Sequence, residues 1–374
     1  MSFFLIGALP SSLYNFRGEL IKRIHSSQSR VFTVASRASQ NEIDIIEALS
    51  SNYIDIPISR NGLNPFKDLN TVLKFFLIFR KYNPKLVLAY TIKPIIWGGI
   101  AARFANISSF YAMVTGLGYA FQRGDLAKNL LNSLVKLLYR LALKKAKGVI
   151  FQNIDNMQVF IDEGIVPQEK CFLVNGSGVD LSHYQVSPLS PKPHFLLIAR
   201  LLGDKGIREY VKAAEIVKQQ YPEAVFELVG PEDPSPDGIK LDEVNKWVSS
   251  GAIKYSGATT DVRPFIKNCS IYVLPSYHEG MPRTVLEAMA MGRPILTTDV
   301  PGCRETVVNG ENGWLVEKAN IEQLAERMIW FIENQEQWSV MGEKSHTMAN
   351  EKFDVHSVND KILKIMGLSD EKTV

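Results

Sequence analysis

The chain has 374 residues, enough for two cores of ordinary domain size, and its 46% hydrophobic and 22% charged content is that of a soluble globular protein. It holds no run of 18 apolar residues, which excludes a spanning helix, and the opening MSFFLIGALP lacks the basic start and apolar length of a cleaved leader. The net charge of +3 hides an asymmetry: residues 1–190 carry 21 Lys and Arg against 12 Asp and Glu, and residues 191–374 carry 21 against 27. A basic half and an acidic half point to different partners for each. Three widely spaced cysteines, Cys171, Cys269 and Cys303, form no disulfide framework and fit a reducing cytoplasm.

In chain order, residues 3–7 read as a buried strand, followed by a loop over 8–12 and a helix over 13–25. Strands are expected at 31–35, 53–58, 86–90, 110–114, 149–151 and 171–174, with helices over 42–49 and 69–82 and another after residue 91. Residues 181–193 hold Pro188, Pro191 and Pro193 with little pattern and read as a linker. The theme then restarts with strands at 195–199, 225–229, 271–274 and 295–298 and a helix over 208–219; residues 321–366 read as helices only. Strand–helix alternation predicts an α/β chain of two Rossmann-like domains. These are 1–180 and 194–351, with a C-terminal helix at about 352–368 packing back on the first. Open α/β sheets bind ligands at the carboxyl ends of their strands, and a cleft between two such domains is a natural place for a site.

The most informative stretch is 275–294, PSYHEGMPRTVLEAMAMGRP. It reads as a strand, a short loop, and a helix with Pro282 as its first residue and Gly292 and Pro294 ending it. A helix start after a strand favours an anion such as a phosphate. Glu279 and Glu287 frame it, eight residues apart. That spacing is about 12 Å along a helix axis, too far to share a proton or a metal and suited to the two ends of a nucleotide sugar. The plainer alternative is a loop charge and a solvated helix residue.

Arg200 follows the strand at 195–199, and Lys205 precedes Gly206 at a helix start; two cations there suit a diphosphate. Gly230 ends a strand and Val262 opens a helix after Gly257, so both are expected to line a base pocket, although turns alone explain them. Gly116 and Gly118 lack the third glycine of a dinucleotide fingerprint. No Asp-x-Asp and no His or Cys cluster argues for a tightly bound metal, and no cofactor is expected.

Residues 126–147, LAKNLLNSLVKLLYRLALKKAK, hold six Lys and Arg and no acidic residue, with Leu126, Leu130, Leu134, Leu137, Leu138 and Leu141 at helical spacing. The leucines are expected in the core, with a basic face that is either solvated or laid on an anionic membrane through Lys128, Lys136, Arg140, Lys144 and Lys145. The helix over 69–82, with Phe75, Phe76, Phe79, Lys74, Arg80 and Lys81, adds to that surface. No nucleic-acid module is recognisable.

The second half resembles the retaining GT-B glycosyltransferases of glycosyltransferase family four. The residues that carry this are IAR and DKG within 198–206, LVG (228–230), SGATTDV (256–262) and LPSYHEGMPRTVLEAMAMGRPILTTDVPGCRE (274–305). The first half, through GALPSSLYNFRGELI (7–21), SRNGLNPF (59–66), TIKPIIWGGIAA (91–102) and TGLGYAF (115–121), is similar to bacterial members that assemble lipid-linked glycans. The resemblance implies that Arg200 and Lys205 hold the diphosphate of a UDP-sugar donor, that Glu279 lies near the transferred sugar, and that Glu287 binds the ribose. It also implies a phosphate loop at Ser276, Gly280, Met281 and Pro282, and a polyprenyl-diphosphate-linked acceptor near Ser12, Lys93 and Gly116. Many members carry a histidine near the acceptor; the matching region here reads Tyr90-Thr91-Ile92-Lys93, with Lys93 standing in for part of that role. The implied enzyme is a retaining, metal-independent hexosyltransferase on the inner face of the bacterial cell membrane. The rivals are a UDP-sugar epimerase on the same plan and a non-catalytic subunit that recruits a transferase to the membrane.

Overall fold

A computed structural model describes residues 2–27, 29–58, 64–117, 121 and 126–368. Gly118 and residues 59–63 lie outside the described residues, as does the side chain of Lys128. The chain divides into two compact units, 1–177 with 356–374, and 178–355.

The first unit runs β1 (Ser2–Ile6), α1 (Pro10–Ser26), β2 (Arg30–Ala35), α2 (Gln40–Ala48), β3 (Ser51–Asp55), α3 (Pro65–Tyr82), β4 (Leu86–Tyr90), α4 (Ile92–Phe104), β5 (Phe110–Val114), α5 (Leu126–Leu143), β6 (Gly148–Phe151), α6 (Ile154–Asp162) and β7 (Cys171–Leu173). Its sheet has the order β3-β2-β1-β4-β5-β6-β7, with parallel pairing throughout. Successive side chains of a strand point to opposite faces. Accordingly Phe4 and Ile6 enter one core with Val87, Phe75 and Phe79, while Phe3 and Leu5 enter the other with Leu20, Ile21 and Leu88. Helix starts follow local chemistry: Ser39 and Glu42 form a capping box on α2, and Asn64 caps α3 with Pro65 as its first residue. The chain reverses its order between β1 and β4, which opens a crevice at their carboxyl ends.

The second unit runs β8 (His194–Ile198), α7 (Ile207–Gln220), β9 (Val225–Val229), α8 (Leu241–Ser249), β10 (Lys254–Tyr255), α9 (Arg263–Asn268), β11 (Ile271–Leu274), α10 (Arg283–Ala290), β12 (Ile295–Thr298), β13 (Gly313–Val316), α11 (Ile321–Glu333) and α12 (Gln337–Phe353). Its sheet is also parallel, in the order β10-β9-β8-β11-β12-β13. The segment 181–193 lies within this unit. The fully buried Arg293 secures it by donating to the carbonyls of Ser187 (2.9 Å) and Pro188 (3.2 Å).

The last helix, α13 (Val355–Ile365), returns to the first unit, where Val358, Ile362, Leu363 and Met366 join the core that holds Leu5 and Ile21. Entry to and exit from the second unit lie side by side: Val179 donates to the Phe353 carbonyl (2.8 Å), and Val355 donates to the Val179 carbonyl (3.0 Å).

The leucines of α5 depart from expectation. Leu130, Leu134, Leu137 and Leu141 are 42–73% exposed, while Val135, Tyr139, Ala142 and Leu143 are buried and Leu138 packs partly against the core. Two apolar stripes run along this helix, and the one bearing Tyr139 packs inward, edge-on to Phe160. Pro282 also differs: it is the extended cap before α10, and Arg283 is the first helical residue.

Candidate active site

The residues singled out in the second half gather at the carboxyl edge of the second sheet. Arg200 and Lys205 follow β8, Gly230 follows β9, Val262 caps α9, and the 275–282 loop follows β11. Close backbone packing draws the loops after β8 and β11 together with the loop after β12. Gly206 has φ +69°, and a Cβ there would stand 2.0 Å from the Pro275 carbonyl oxygen. Tyr277 donates its N–H to Asp204 (2.8 Å), and Glu279 donates to the Pro301 carbonyl (3.0 Å). Gly302, at φ +85°, passes so close that a Cβ would lie 2.5 Å from the Glu279 carbonyl oxygen. Only glycine tolerates both the φ and the approach at these two positions.

At the centre, Lys205 Nζ donates to Glu279 Oε1 at 2.7 Å, and the Ser276 hydroxyl donates to the same oxygen at 2.9 Å. Burial pushes the Lys205 ammonium down, but the Glu279 and Asp204 carboxylates overcome it and leave its pKa raised. Lys205 is therefore a fixed cation throughout the neutral range. Ser276 is fully buried and holds Glu279 in place. Arg200 pairs with the buried Asp233 and stays 43% exposed at its side chain. The two cations expected to act as one grip are thus each seated on a carboxylate of their own. Cys303 is fully buried beneath this loop, and burial pushes its thiol up to about 12, so it is an inert apolar filler.

On α10, Glu287 is buried rather than solvated. Its Oε1 accepts from Arg283 Nε at 2.9 Å and from the Tyr184 hydroxyl at 2.9 Å. Burial raises the Glu287 carboxyl above the usual range, against the pull of Arg283. Gly230 donates to the Gly257 carbonyl (2.8 Å) and accepts from the Tyr255 hydroxyl (2.8 Å), which ties the 257–262 segment to the end of β9. Gly280 and Pro282 are buried and Met281 is half-buried.

Sequence reasoning missed Tyr184, Asp233 and Arg283. The i,i+4 spacing of Arg283 and Glu287 was a readable signal. Nothing in the sequence joins Arg200 to Asp233 or Tyr184 to Glu287, which lie 33 and 103 residues apart.

The residues proposed for the acceptor side lie in the first unit. Ser12 donates to the Leu9 carbonyl (2.6 Å) and stands 2.7 Å from the Tyr90 hydroxyl, which burial keeps protonated by pushing it up to about 12. Lys93 forms an ion pair with Asp68 at 2.9 Å. Gly116 follows β5, half-buried. Thr91, just before α4, has φ +67°, a strained conformation for a β-branched residue and of the kind that collects at functional sites. A cavity of about 580 Å³ opens at the carboxyl ends of β1 to β3, lined by Leu9, Ser36, Arg37, Glu42, Ile58 and Lys67 among others. Among the described residues no group of three His, Cys, Asp or Glu is placed to hold a metal.

Two Rossmann-like units, the second with paired cations and carboxylates along its carboxyl edge, define a GT-B glycosyltransferase. The chain belongs to the glycosyl transferases group 1: that family matches residues 183–348, and the glycosyl transferase 4-like family matches residues 11–153. It is 30% identical over 339 residues to the N,N'-diacetylbacillosaminyl-diphospho-undecaprenol alpha-1,3-N-acetylgalactosaminyltransferase of Campylobacter jejuni, covering 87% of this chain and 88% of that one. It is 24% identical over 292 residues to the UDP-Gal:alpha-D-GlcNAc-diphosphoundecaprenol alpha-1,3-galactosyltransferase of Escherichia coli, covering 73% of each. Among solved structures it is similar to Anabaena HepE in complex with UDP, with a TM-score of 0.78 at 18% identity, covering 98% of this chain and all (100%) of that one.

Proposed function

We propose that this glycosyltransferase retains anomeric configuration, without a metal, as it moves an N-acetylhexosamine or hexose from a UDP-sugar to an undecaprenyl-diphosphate-linked glycan. The observation that carries the reading is the Lys205–Glu279 pair, beside the loop that leads into α10 and in the same unit as the buried Glu287. The names of the Campylobacter and Escherichia relatives supply the acceptor class. In this reading the donor diphosphate lies against Arg200, Lys205 and the Gly280–Met281 backbone, with uracil at Gly230 and Val262. Glu279 sits at the sugar and Glu287 at the ribose. As the bond from the anomeric carbon to the leaving phosphate oxygen breaks, that oxygen takes the proton of the acceptor hydroxyl. The new glycosidic bond forms on the same face. Lys205 and Arg200 stabilise the charge that grows on the diphosphate. Ser12, Lys93 and Gly116 are the acceptor-side candidates.

The reading places the enzyme on the cytoplasmic face of the membrane as a peripheral protein; among the described residues no helix is long and apolar enough to cross a bilayer. The cations of α5 are poorly placed to do this by charge. Lys136 pairs with Glu163 (2.7 Å), and Arg140 donates to the carbonyls of Glu163 and Gly164 at the end of α6. Lys144 and Lys145 remain exposed. The exposed leucines of α5, together with Phe66, Leu69, Leu73 and Leu77 of α3 at 53–85% exposure, offer an apolar contact instead.

A panel of UDP-sugars with a lipid-linked acceptor, read by mass, tests the transfer. One sugar is expected to add to the acceptor, and conversion of donor alone would instead identify an epimerase. Co-sedimentation with neutral and anionic vesicles tests the surface. Binding that survives high salt and is lost in Leu134→Ser/Leu137→Ser supports it, and no binding to either vesicle refutes it.

A further inference from the structure

The segment that enters the second unit carries a side chain that no motif of the site includes. Tyr184 is buried, and its hydroxyl donates to Glu287 Oε1 at 2.9 Å. Arg283 Nε donates to that same oxygen at 2.9 Å. A carboxylate with two donors on one oxygen is fixed in rotation.

Tyr184 is itself held. Its ring meets His183 edge-on with centroids 4.9 Å apart, and His183 Nδ1 lies 3.5 Å from Arg263 Nη1. Arg263 is clamped by Asp261 through two bonds of 2.9 and 2.8 Å. The segment 183–184 is thus clasped between α10, which carries Glu287, and the turn that carries Val262.

We infer that Tyr184 is a positioning residue for the nucleoside: its hydroxyl fixes Glu287 Oε1 and so orients the carboxylate that receives the ribose hydroxyls of a nucleoside diphosphate. This rests on the reading that Glu287 faces the ribose. The Tyr184 hydroxyl also offsets part of the burial that raises the Glu287 carboxyl, so it keeps that group ionised to lower pH.

The test is a ligand–mutant cycle on the full chain by calorimetry, with UDP and 2′,3′-dideoxy-UDP as probes. Wild type is expected to prefer UDP by about tenfold or more, the range of hydrogen bonds to a charged group. Tyr184→Phe removes one oxygen from a ring that stays packed. It is expected to reduce the preference to about threefold or less while dideoxy-UDP binds as before. It is also expected to lose UDP affinity at a higher pH than wild type on acidification. Equal weakening of both ligands means the tyrosine only supports the fold and overturns the inference. An unchanged preference overturns it as well, while Glu287→Ala that abolishes the preference leaves the ribose reading standing. A wild type that does not distinguish the two ligands overturns both.

Discussion

Replacing Lys205 by alanine separates the fold from the chemistry of this site. Lys205 and Glu279 lie 2.7 Å apart with side chains 16% exposed each, so solvent screens the pair only in part. Removing the ammonium leaves Glu279 with the Ser276 hydroxyl and deprives a mostly buried carboxylate of its counter-charge. Loss of one partner of such a pair costs about 2 kcal/mol. For a unit of this size that lowers Tm by about 4–8 °C. Glu279→Ala costs less, because lysine carries its ammonium to solvent on a flexible stem. The double variant recovers about 1 kcal/mol of the sum of the two. Turnover behaves differently. If Lys205 neutralises charge on the leaving diphosphate, Lys205→Ala loses about 100-fold or more in kcat/KM, and the double variant recovers none of it. Thermal denaturation and steady-state transfer measured on the same four proteins decide the matter. Transfer that returns with stability in the double variant refutes the assignment, because Lys205 would then act only through the fold.

Glu287 offers a pH test of opposite character. Burial raises its folded pKa, so the stability it contributes is full below the unfolded carboxylate range and is lost as pH rises through the folded value. Glu287→Gln is therefore expected to be more stable than wild type at pH 7, with the gap closing below about pH 4, by chemical denaturation at both values. A less stable variant at pH 7 refutes this. Glu227 runs the other way. Burial would raise it, but His194, Ser256 and Lys254 together hold it down at about 2. Its stability is present above the ordinary 4.5 and lost between there and about 2, roughly 3 kcal/mol in all. Glu227→Gln is expected to flatten the acid limb of the stability–pH curve in that window, and an unchanged limb rules the cluster out.

Most strands were legible because they are short apolar runs bounded by turn residues, and parallel sheets bury both faces. The two-residue β10 was not, since Lys254–Tyr255 has no period to read, nor was β13, four residues that open on Gly313. The loop before α10 was readable as a helix start, but Pro282 serves as its cap because its extended ψ of 105° aims the chain into the turn. Helix α5 shows the limit of pattern. Its sequence offers two apolar stripes, and only packing against Phe160 shows which one faces inward. The carboxylate partners Asp233 and Glu279 were out of reach as partners for a similar reason: each meets its cation through sheet order rather than through sequence spacing.

The return of α13 has a consequence for biosynthesis. Residues 178–355 are an insertion in the first unit, whose core stays short of Val358, Ile362, Leu363 and Met366 until the whole insertion has been made. The second unit can therefore mature on the ribosome before the first, although its sequence comes second. A fragment ending at residue 177 is an unfinished protein, with a stripe of the faces of Leu5, Ile21 and Leu88 open to aggregation. A circular permutant that begins at residue 356 makes each unit contiguous, and its new ends fall beside Val179, where the chain already passes twice.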